Sequence, residues 1–513
     1  MPGLEPNELK NPAYNSFWAA HSLAFFAQEA IKIPEGRIDL IQRPYLAELY
    51  EFPRAEHTVI EKSPQMGLST VVLIWSIHGC KYELPLGVGY FLPTLTDMRD
   101  FANYKVNPIL ESNPTLKSQE VKSEELDNTR IKRIGRAYLY LRGMKSKASI
   151  KSFPADELVF DELDEIEPAR REEAIERVSA SKVQRITELS NPTLPDYGID
   201  KQFKKSDQRY WHIKCHGCGH ENVLTDYFPD CLAEVSEGHV IRICQKCKKE
   251  IDYRNGTWIA RNPSSKIRGY HFSQLFSATI SPLKILTAYK DLVYKDVFYN
   301  NKLGLPYIDI SEQLKADFLK TLCGSEAPSF PAGMQSTIGI DQGKLLHCVI
   351  SWPAPDGRRQ YLFRVLREFE EIDSLVREYR AFSVIIDAMP ETRKARDLQK
   401  RFPGRVWLSY YDDNVDNDPK LDNKKGQVNS NRTMTLDVSR DVLLNKMAIL
   451  PPMSRDVEEF CKHGENLVKV RKQDKMGNIW YEYARTGPDH FRHAQNLDTI
   501  AWRFAKIPRA RWL

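Results

Sequence analysis

The chain has 513 residues, 42% hydrophobic and 28% charged, with a formal net charge of +5. That length exceeds one hydrophobic core and predicts two or three domains. No run approaches the roughly 18 apolar residues of a membrane span. The acidic first residues lack the apolar core of a signal peptide, which predicts a soluble globular protein with no membrane partner. The mild positive charge permits nucleic-acid contact without indicating it. Nine cysteines in such a chain point to a reducing compartment, where paired thiols serve metals more often than disulfides.

In chain order, Ser16 to Ile33 predict a helix with apolar and aromatic positions on several faces. Gln42 follows, shortly before Pro44. Its amide offers a donor and an acceptor together, which suits an adenine edge; the alternative is a surface glutamine at a helix start. His57 to Thr70 then read as a short strand (Thr58, Val59, Ile60), a tight loop, and a helix that opens at Ser69 and Thr70 into the apolar run Val71 to Trp75. Strand, phosphate-sized loop and helix N-terminus are the layout of a P-loop, whose backbone N–H groups and positive helix end face an anion. The register is imperfect. Gly67 and Ser69 fit G-x-x-x-x-G-K-[ST], but Lys62 stands at the first glycine and Leu68 at the usual lysine. The residues expected around ATP here are Lys62, Ser63, Gln65, Met66, Gly67, Leu68, Ser69 and Thr70.

Gly87 to Thr94 predict a second buried strand. The stretch beyond it, Arg130 to Lys151, carries Arg130, Lys132, Arg133, Arg136, Arg142, Lys145, Lys147 and Lys151 with no acid, interleaved with Tyr138 and Tyr140. This is the footprint of a DNA-binding surface, against the alternative of a solvated face, and the tyrosines are either strand core or stacking partners. Arg142 is also a candidate for the arginine that stabilises charge at the γ-phosphate. Glu157 to Glu162 then read as an apolar strand ending in two acids. Downstream of a P-loop, Asp161 is placed to hold Mg²⁺ through water, with Ser69 as a direct ligand, and Glu162 to orient or deprotonate the attacking water. Arg185 to Leu189 form a further strand that ends in Ser190, Asn191, Pro192 and Thr193, a small polar set suited to link the γ-phosphate site to moving parts. Strands separated by helices, with polar residues at strand ends, give an α/β fold with a parallel sheet and a site along one edge.

Two Cys-x-x-Cys knuckles interrupt that rhythm, Cys215 with Cys218 and Cys244 with Cys247. Four thiolates complete a closed, structural Zn²⁺ site; His216, His220 and Cys231 are nearby substitutes, and free buried thiols are the alternative.

A breaker-rich stretch, with Gly324, Pro328, Pro331 and Gly333, reads as a linker. After it Ser336 to Gly343 form a strand carrying Asp341, with hairpin strands at Leu346 to Trp352 and Gln360 to Val365, a helix from Asp373 to Phe382, and a strand ending at Asp387. A late helix begins near Asp489 and His490 and carries Asp498. Consecutive hairpin strands with an acid on the first resemble the opening of an RNase H-like nuclease. Carboxylates from two strand ends and a late helix can converge on a pair of Mg²⁺ or Mn²⁺ ions, the requirement of two-metal phosphodiester cleavage. Asp341, Asp387 and Asp489 are the first choices, with His490 and Asp498 behind Asp489.

Taken together, a P-loop ATPase, zinc knuckles and an RNase H-like α/β domain resemble the large terminase subunit of tailed phages, in its lambda-type branch. The carriers are Gln42, Lys62 to Thr70, Asp161 and Glu162, Ser190 to Thr193, the four knuckle cysteines, Phe298 to Gly304, Asp341, Asp387, Asp489 and His490. The family's ATP loop often carries its lysine at the front, where Lys62 sits. Related loops often hold an arginine as well; here Gln65 and Met66 stand instead, so that charge must come from elsewhere. The resemblance implies an ATP-driven motor that moves double-stranded DNA into a procapsid, and an endonuclease that cuts concatemeric DNA. It further implies a small terminase subunit and the portal protein as partners, homo-oligomers on the portal, and a location in the host cytoplasm at the procapsid. Two other readings cover part of the same residues: a helicase-like repair or restriction translocase with a fused nuclease, and a non-catalytic DNA-binding assembly protein.

The expected organisation is an N-terminal helical segment over 1–40, an ATPase core over 41–205, a zinc insertion over 206–262, a lid and connector over 263–325, a linker over 326–335, a nuclease domain over 336–505 and a basic tail over 506–513. Arg503, Lys506, Arg509 and Arg511 with Trp512 make the chain's end a free tail or a docking peptide.

Overall fold

The computed structural model describes residues 12–34, 36–51, 54–116, 129–145, 153–291, 294–308, 313–412, 415, 418–473 and 479–504. Two units emerge, Met1–Tyr307 and Ile308–Leu513. Lys147, Lys151 and the tail from Lys506 onward lie outside the described residues.

In the first unit, helix α1 (Pro12–His21) ends where Ser22 turns its side chain to the backbone N–H of Phe25, so the helix expected over Ser16 to Ile33 is broken rather than continuous. Strand β1 (His57–Lys62) leads through the loop into α2 (Leu68–His78). The sheet continues with β2 (Val88–Leu92), β3 (Ile131–Ile134), β4 (Ala137–Gly143), β5 (Glu157–Asp161) and β6 (Arg185–Ser190), with α3 (Gly198–Phe203) after β6. Strands β7 (Arg209–Lys214), β8 (Glu221–Asn222), β9 (Leu232–Ser236), β10 (His239–Arg242), β11 (Gly256–Ala260) and β12 (Arg268–Phe272) complete the unit. The sheet order is β11-β7-β12-β1-β6-β5-β2-β4-β3, with β8 paired to β7. From β12 to β4 every pairing is parallel, so the carboxyl ends of β1, β5 and β6 share one edge. Parallel strands covered on both faces must be apolar throughout, and β2 and β5 are buried along their whole length. The apolar stripe of α2 (Val71, Val72, Leu73, Ile74, Ile77) joins Tyr90, Val159, Leu189 and Tyr270 in one core.

Strand β12 pairs with β1 residue for residue, Thr58 with Arg268 through Lys62 with Phe272. It therefore belongs to the ATPase sheet and not to a lid or connector. Likewise β7 and β11 flank the zinc knuckles yet lie within the same sheet.

The second unit begins before the stretch expected to be a linker. Leu314, Leu319 and Leu322 pack with Val349, Phe363 and Phe460, the Gly324 N–H donates to the Leu450 carbonyl at 2.9 Å, and Phe330 packs edge-on against Trp352 and Tyr379. The boundary falls at 307/308 because residues 314–330 carry apolar side chains that this core needs. Strands β13 (Ser336–Gln342), β14 (Leu346–Pro353) and β15 (Arg359–Leu366) form an antiparallel meander. Helix α4 (Glu370–Glu378) leads to β16 (Ala381–Asp387), and α5 (Thr392–Arg401) to β17 (Val406–Tyr411); β13, β16 and β17 run parallel. Short strands β18 (Lys420–Asp422), β19 (Gln427–Ser430) and β20 (Ala448–Ile449) complete a sheet ordered β18-β19-β17-β16-β13-β14-β15-β20. Helices α6 (Arg432–Leu444) and α7 (Arg455–Glu465) and a separate hairpin, β21 (Leu467–Gln473) with β22 (Ile479–Arg485), precede the last helix, α8 (His490–Phe504). That helix crosses β13 so closely that a Cβ on Gly339 would meet the Ala494 carbonyl oxygen at 2.1 Å and the Asp498 nitrogen at 2.1 Å. Gly339→Ala is expected to destabilise the second unit by roughly 3 kcal/mol, because backbone on both sides must give way. Urea unfolding followed by tryptophan fluorescence measures this; an unchanged midpoint would show that α8 can retreat freely.

Candidate active sites

The shared strand edge of the first unit holds a cavity of about 310 Å³ lined by Lys62, Gln65, Ser69, Glu162, Asn191 and Thr193, among others. Ligands of open parallel sheets bind at this edge. Left-handed backbone at Gln65 (φ 63°) and Gly67 (φ 85°) bends the loop back on itself before α2 begins at Leu68. Lys62 closes β1, buried, with its Nζ 2.9 Å from Glu162 Oε1. Burial works against its charge, but Glu162 and Asp161 outweigh that and raise its pKa above the ordinary lysine value. Leu68 and Met66 are both 2% exposed and belong to the apolar core. The usual lysine position of the loop thus points inward, and the cation enters from β1.

Asp161 is buried at the end of β5, and burial together with the neighbouring Glu162 raises its pKa. Lys62 and hydrogen bonds from Tyr90 and Ser69 oppose that rise, the Tyr90 hydroxyl lying 2.8 Å from Oδ2. The Ser69–Asp161 contact is the one expected of two groups that serve a Mg²⁺ ion with ATP. Glu162 sits in the left-handed region (φ 56°), which turns its side chain out of the strand toward Lys62. Strain of this kind persists where surrounding structure holds it.

The other expected nucleotide residues divide. Ser63 donates its backbone N–H to Phe272 at 2.7 Å and so joins β12 instead of facing the cavity. Thr70 accepts from Lys105 Nζ at 3.3 Å. The Gln42 side chain is exposed and outside the cavity lining, which favours the surface reading. Its neighbour Arg43 is the nearer group: a Cβ at Gly67 would lie 3.4 Å from Arg43 Nη1. Arg43 escaped sequence reasoning, as did Tyr90 and Asp164. Ser190, which ends β6, lines the cavity with Asn191 and Thr193, whereas Pro192 does not. With its amide turned to satisfy its neighbours, Asn191 donates to the Lys62 carbonyl at 3.0 Å and the Asn300 carbonyl at 2.6 Å. Gly304 packs so tightly that a Cβ there would fall 3.0 Å from the Ser63 nitrogen. The Phe298 to Gly304 stretch is thereby wedged against the loop.

Among the basic residues, Arg130, Arg136 and Lys145 are exposed, whereas Lys132 is buried in β3. Arg133 lies over the Tyr138 ring. Arg142 stacks on Tyr140 and Phe153 and donates to the carbonyls of Arg130 and Leu141, so it does not reach this unit's own cavity. Tyr140 is 9% exposed and is strand core.

Cys215, Cys218, Cys244 and Cys247 bring their sulfurs within 4.8 Å of one another. The separations of 3.6 Å (Cys215–Cys247) and 3.7 Å (Cys218–Cys244) match the roughly 3.8 Å edge of a tetrahedron with Zn–S bonds of ~2.3 Å. Both knuckles turn alike: Gly219 and Lys248, each at positive φ, donate their N–H to the carbonyls of Cys215 and Cys244. His216, His220 and Cys231 stand outside the set.

In the second unit, Ile340 pairs with Ile386, which sets Asp341 and Asp387 side by side at the ends of β13 and β16. Burial and Asp341 push the Asp387 carboxyl up to about 6. His490 Nδ1 lies 2.8 Å from Asp341 Oδ2, a contact that raises the imidazole pKa. Asp489 is buried; His493, 3.3 Å away, holds it below the usual carboxylate range against the effect of burial. Asp498, by contrast, accepts from the hydroxyls of Thr337 (2.6 Å) and Ser351 (2.7 Å) inside the core. It is two turns along α8 from His490 and braces the helix on the sheet.

Beside this cluster, His347, Glu459 and His463 also bring three ligand atoms within 4.8 Å. The Phe491 N–H donates to His463 Nδ1 at 3.0 Å, which leaves the ring proton on Nε2, facing Glu459. His347 turns its Nε2 to the same carboxylate at 3.0 Å. Glu459 thus takes one imidazole hydrogen bond, from His347, while His463 Nε2 stands 3.8 Å from it, and a metal at these groups would need the ring nitrogens deprotonated.

The first unit is a P-loop ATPase in its sheet, loop and acid pair. Residues 33–262 match the family of phage terminase large subunit gpA, ATPase domain. The large terminase of HK97 bacteriophage has the same fold, with a TM-score of 0.53 at 14% identity over 94% of this chain and 99% of that chain. The large terminase of a thermophilic bacteriophage gives 0.31 at 14% identity over 90% of this chain and 98% of that one. The large terminase nuclease of thermophilic phage G20c gives 0.24 at 12% identity over 37% and 98%. No curated protein matches. Over residues 33–262 the chain is thus similar to the ATPase domain of phage terminase large subunits.

Since Leu68 is core, Leu68→Lys should not restore ATP turnover to a Lys62→Ala protein. Burying an ammonium among apolar side chains costs several kcal/mol, so the thermal midpoint should fall as well. Recovered turnover would return the phosphate-binding role to position 68.

Proposed function

We propose that the chain drives double-stranded DNA into a procapsid by ATP hydrolysis and cuts concatemeric DNA with its second unit. The ATPase half rests on the Lys62–Glu162 contact at the mouth of the nucleotide cavity. With ATP bound, Lys62 would hold the β- and γ-phosphates, Ser69 and Asp161 would hold the Mg²⁺ ion, and Glu162 would orient the attacking water. Before ATP arrives, Lys62 and Glu162 neutralise each other. Phosphate oxygens compete for the ammonium, so a bound nucleotide itself releases Glu162 for its water. Thr193 and Asn191 stand where a change at Glu162 reaches the rest of the unit.

The nuclease half rests on Asp341 and Asp387 at adjacent strand ends, with Asp489 and His490 at the start of α8. The antiparallel meander followed by parallel β16 and β17 supports an RNase H-like unit. Bound Mg²⁺ or Mn²⁺ ions would lower the pKa of the attacking water and stabilise the leaving oxygen. Asp341, Asp387 and Asp489 would hold them, and His490 fixes one oxygen of Asp341, leaving the other to the ion. The four knuckle cysteines fit a structural Zn²⁺. The exposed Arg130, Arg136 and Lys145 are suited to DNA phosphates. A small terminase subunit, the portal protein and further copies of this chain complete the assembly, in the host cytoplasm at the procapsid.

Separate sites predict separable losses. Glu162→Gln should lower DNA-stimulated ATP turnover by about 10²–10⁴-fold and leave Mn²⁺-dependent cleavage intact; Asp341→Asn should do the reverse. One substitution abolishing both activities would refute two independent centres.

Asp387 adds a pH signature. Its carboxyl, pushed up to about 6, is largely protonated below that pH, while a metal binds only the ionised form. Mn²⁺ affinity should therefore rise between about pH 5 and 7, and binding at pH 6 should release about half a proton from Asp387. Calorimetry in buffers of different ionisation enthalpy measures the release, and its absence would remove Asp387 from the ligand set.

A further inference from the structure

Asp164 lies buried two residues beyond Glu162, and its carboxylate collects donors from two other stretches of chain. Oδ2 accepts the Thr193 backbone N–H at 2.8 Å and the Thr193 hydroxyl at 2.6 Å. Oδ1 accepts the Ile199 N–H at 2.7 Å. Asp164 in turn donates its own N–H to Ser190 Oγ at 3.1 Å. Gly198, at φ 48°, completes the enclosure: a Cβ there would fall 2.1 Å from Oδ1, so α3 can close over this carboxylate only without a side chain. The run does not stop at Thr193. Its carbonyl accepts the Tyr307 N–H at 3.1 Å, and Tyr307 is the last residue of the ATPase unit. A continuous line of strong contacts thus joins the turn holding Glu162 to the point where the chain leaves the unit.

A carboxylate that serves only the fold needs its donors satisfied and nothing more. Here the donors come from the residues that line the nucleotide cavity and from the segment behind them. The sides of the line differ in constraint. The Glu162 turn is held in left-handed backbone, whereas the Thr193 N–H and hydroxyl both go to this one carboxylate. We propose that Asp164 is a positioning residue that locks the Glu162 turn to Thr193, so that the placing of Glu162 on bound ATP and the setting of the chain exit at Tyr307 occur as one movement. This rests on the ATPase reading of Lys62, Asp161 and Glu162.

The Thr193 hydroxyl allows a test that spares the buried acid. Thr193→Val removes one hydrogen bond to a charged carboxylate, and Asp164→Asn weakens all of them; each should lower DNA-stimulated kcat about tenfold to a hundredfold. ATP affinity, read with a fluorescent nucleotide, should stay within about threefold, since the loss concerns placement and not binding. Thr193→Ser keeps the donor and should turn over ATP at close to the wild-type rate. The Asp164→Asn, Thr193→Val double variant should be no slower than the slower single variant, because both cut the same link. Multiplying losses, an affinity that falls in step with kcat, or a Thr193→Ser protein as slow as Thr193→Val would each overturn the proposal. If Asp164→Asn lowers the thermal midpoint sharply, the Thr193 pair decides alone. Glu162→Gln separates the layers. A Glu162→Gln protein that still hydrolyses ATP refutes the site reading, while a dead one beside normal Asp164 and Thr193 variants refutes only this link.

Discussion

A carboxylate buried at a strand end must be kept charged by what surrounds it, and Asp161 sets that demand for the whole first unit. Taking such a group out of water costs several kcal/mol unless donors and an opposite charge compensate. The compensation comes from separate strands and one helix: Tyr90 on β2, Ser69 on α2 and Lys62 on β1. Only the order β1-β6-β5-β2 brings these together, with β2 directly beside β5 and Lys62 reaching past β6. The sheet order and the electrostatics of the site are therefore the same constraint seen at two scales. They also explain why an inward Leu68 does no harm. The charge Asp161 requires arrives from the strand, and the first turn of α2 is left free to pack.

The second unit meets a like demand differently. Asp341 and Asp387 end adjacent parallel strands, and among the described residues no lysine or arginine is bonded to either. Imidazoles surround them instead: His490 on Asp341 and His493 on Asp489. An imidazole compensates weakly at neutral pH, and Asp387 accordingly remains a reluctant anion. Its environment is better completed by a divalent cation than by any of these side chains. The two strand ends thus differ in kind. Burial raises the pKa of both, but Asp161 has a lysine to oppose the rise, whereas Asp387 faces a neighbouring carboxylate.

Much of this was legible from the sequence because the groups concerned are punctuated locally. An apolar run ending in Asp161 and Glu162, or two cysteines spaced by a turn, announce their local structure over a few residues. What escaped was non-local. Tyr90 reads as one more aromatic in a buried strand, and its hydroxyl matters only because β2 lies beside β5. Asp164 reads as continued acidity after a strand, yet it takes its partners from stretches farther along the chain. The unit boundary was misplaced for a related reason. Glycines and prolines at 324–333 signal breaks in regular structure, but the apolar side chains around them still pack into a core. The assignment of β12 to a connector failed because nothing within residues 268–272 records that their partner is β1.

That last pairing has a consequence for how the protein comes to be made. The central strand β1 is flanked by β6 and by β12, and β12 follows the whole cysteine-bearing insertion. A ribosome emitting the chain from its N-terminus exposes one open edge of β1 until Phe272 has emerged. Unpaired edges of parallel sheets are slow to close and prone to wrong partners. The insertion, built from contacts close in sequence, can fold during that interval and shorten the effective loop that must be closed. Its benefit to the first unit is then one of assembly as much as of architecture: it holds β7 and β11 ready so that β12 arrives at a nearly finished sheet.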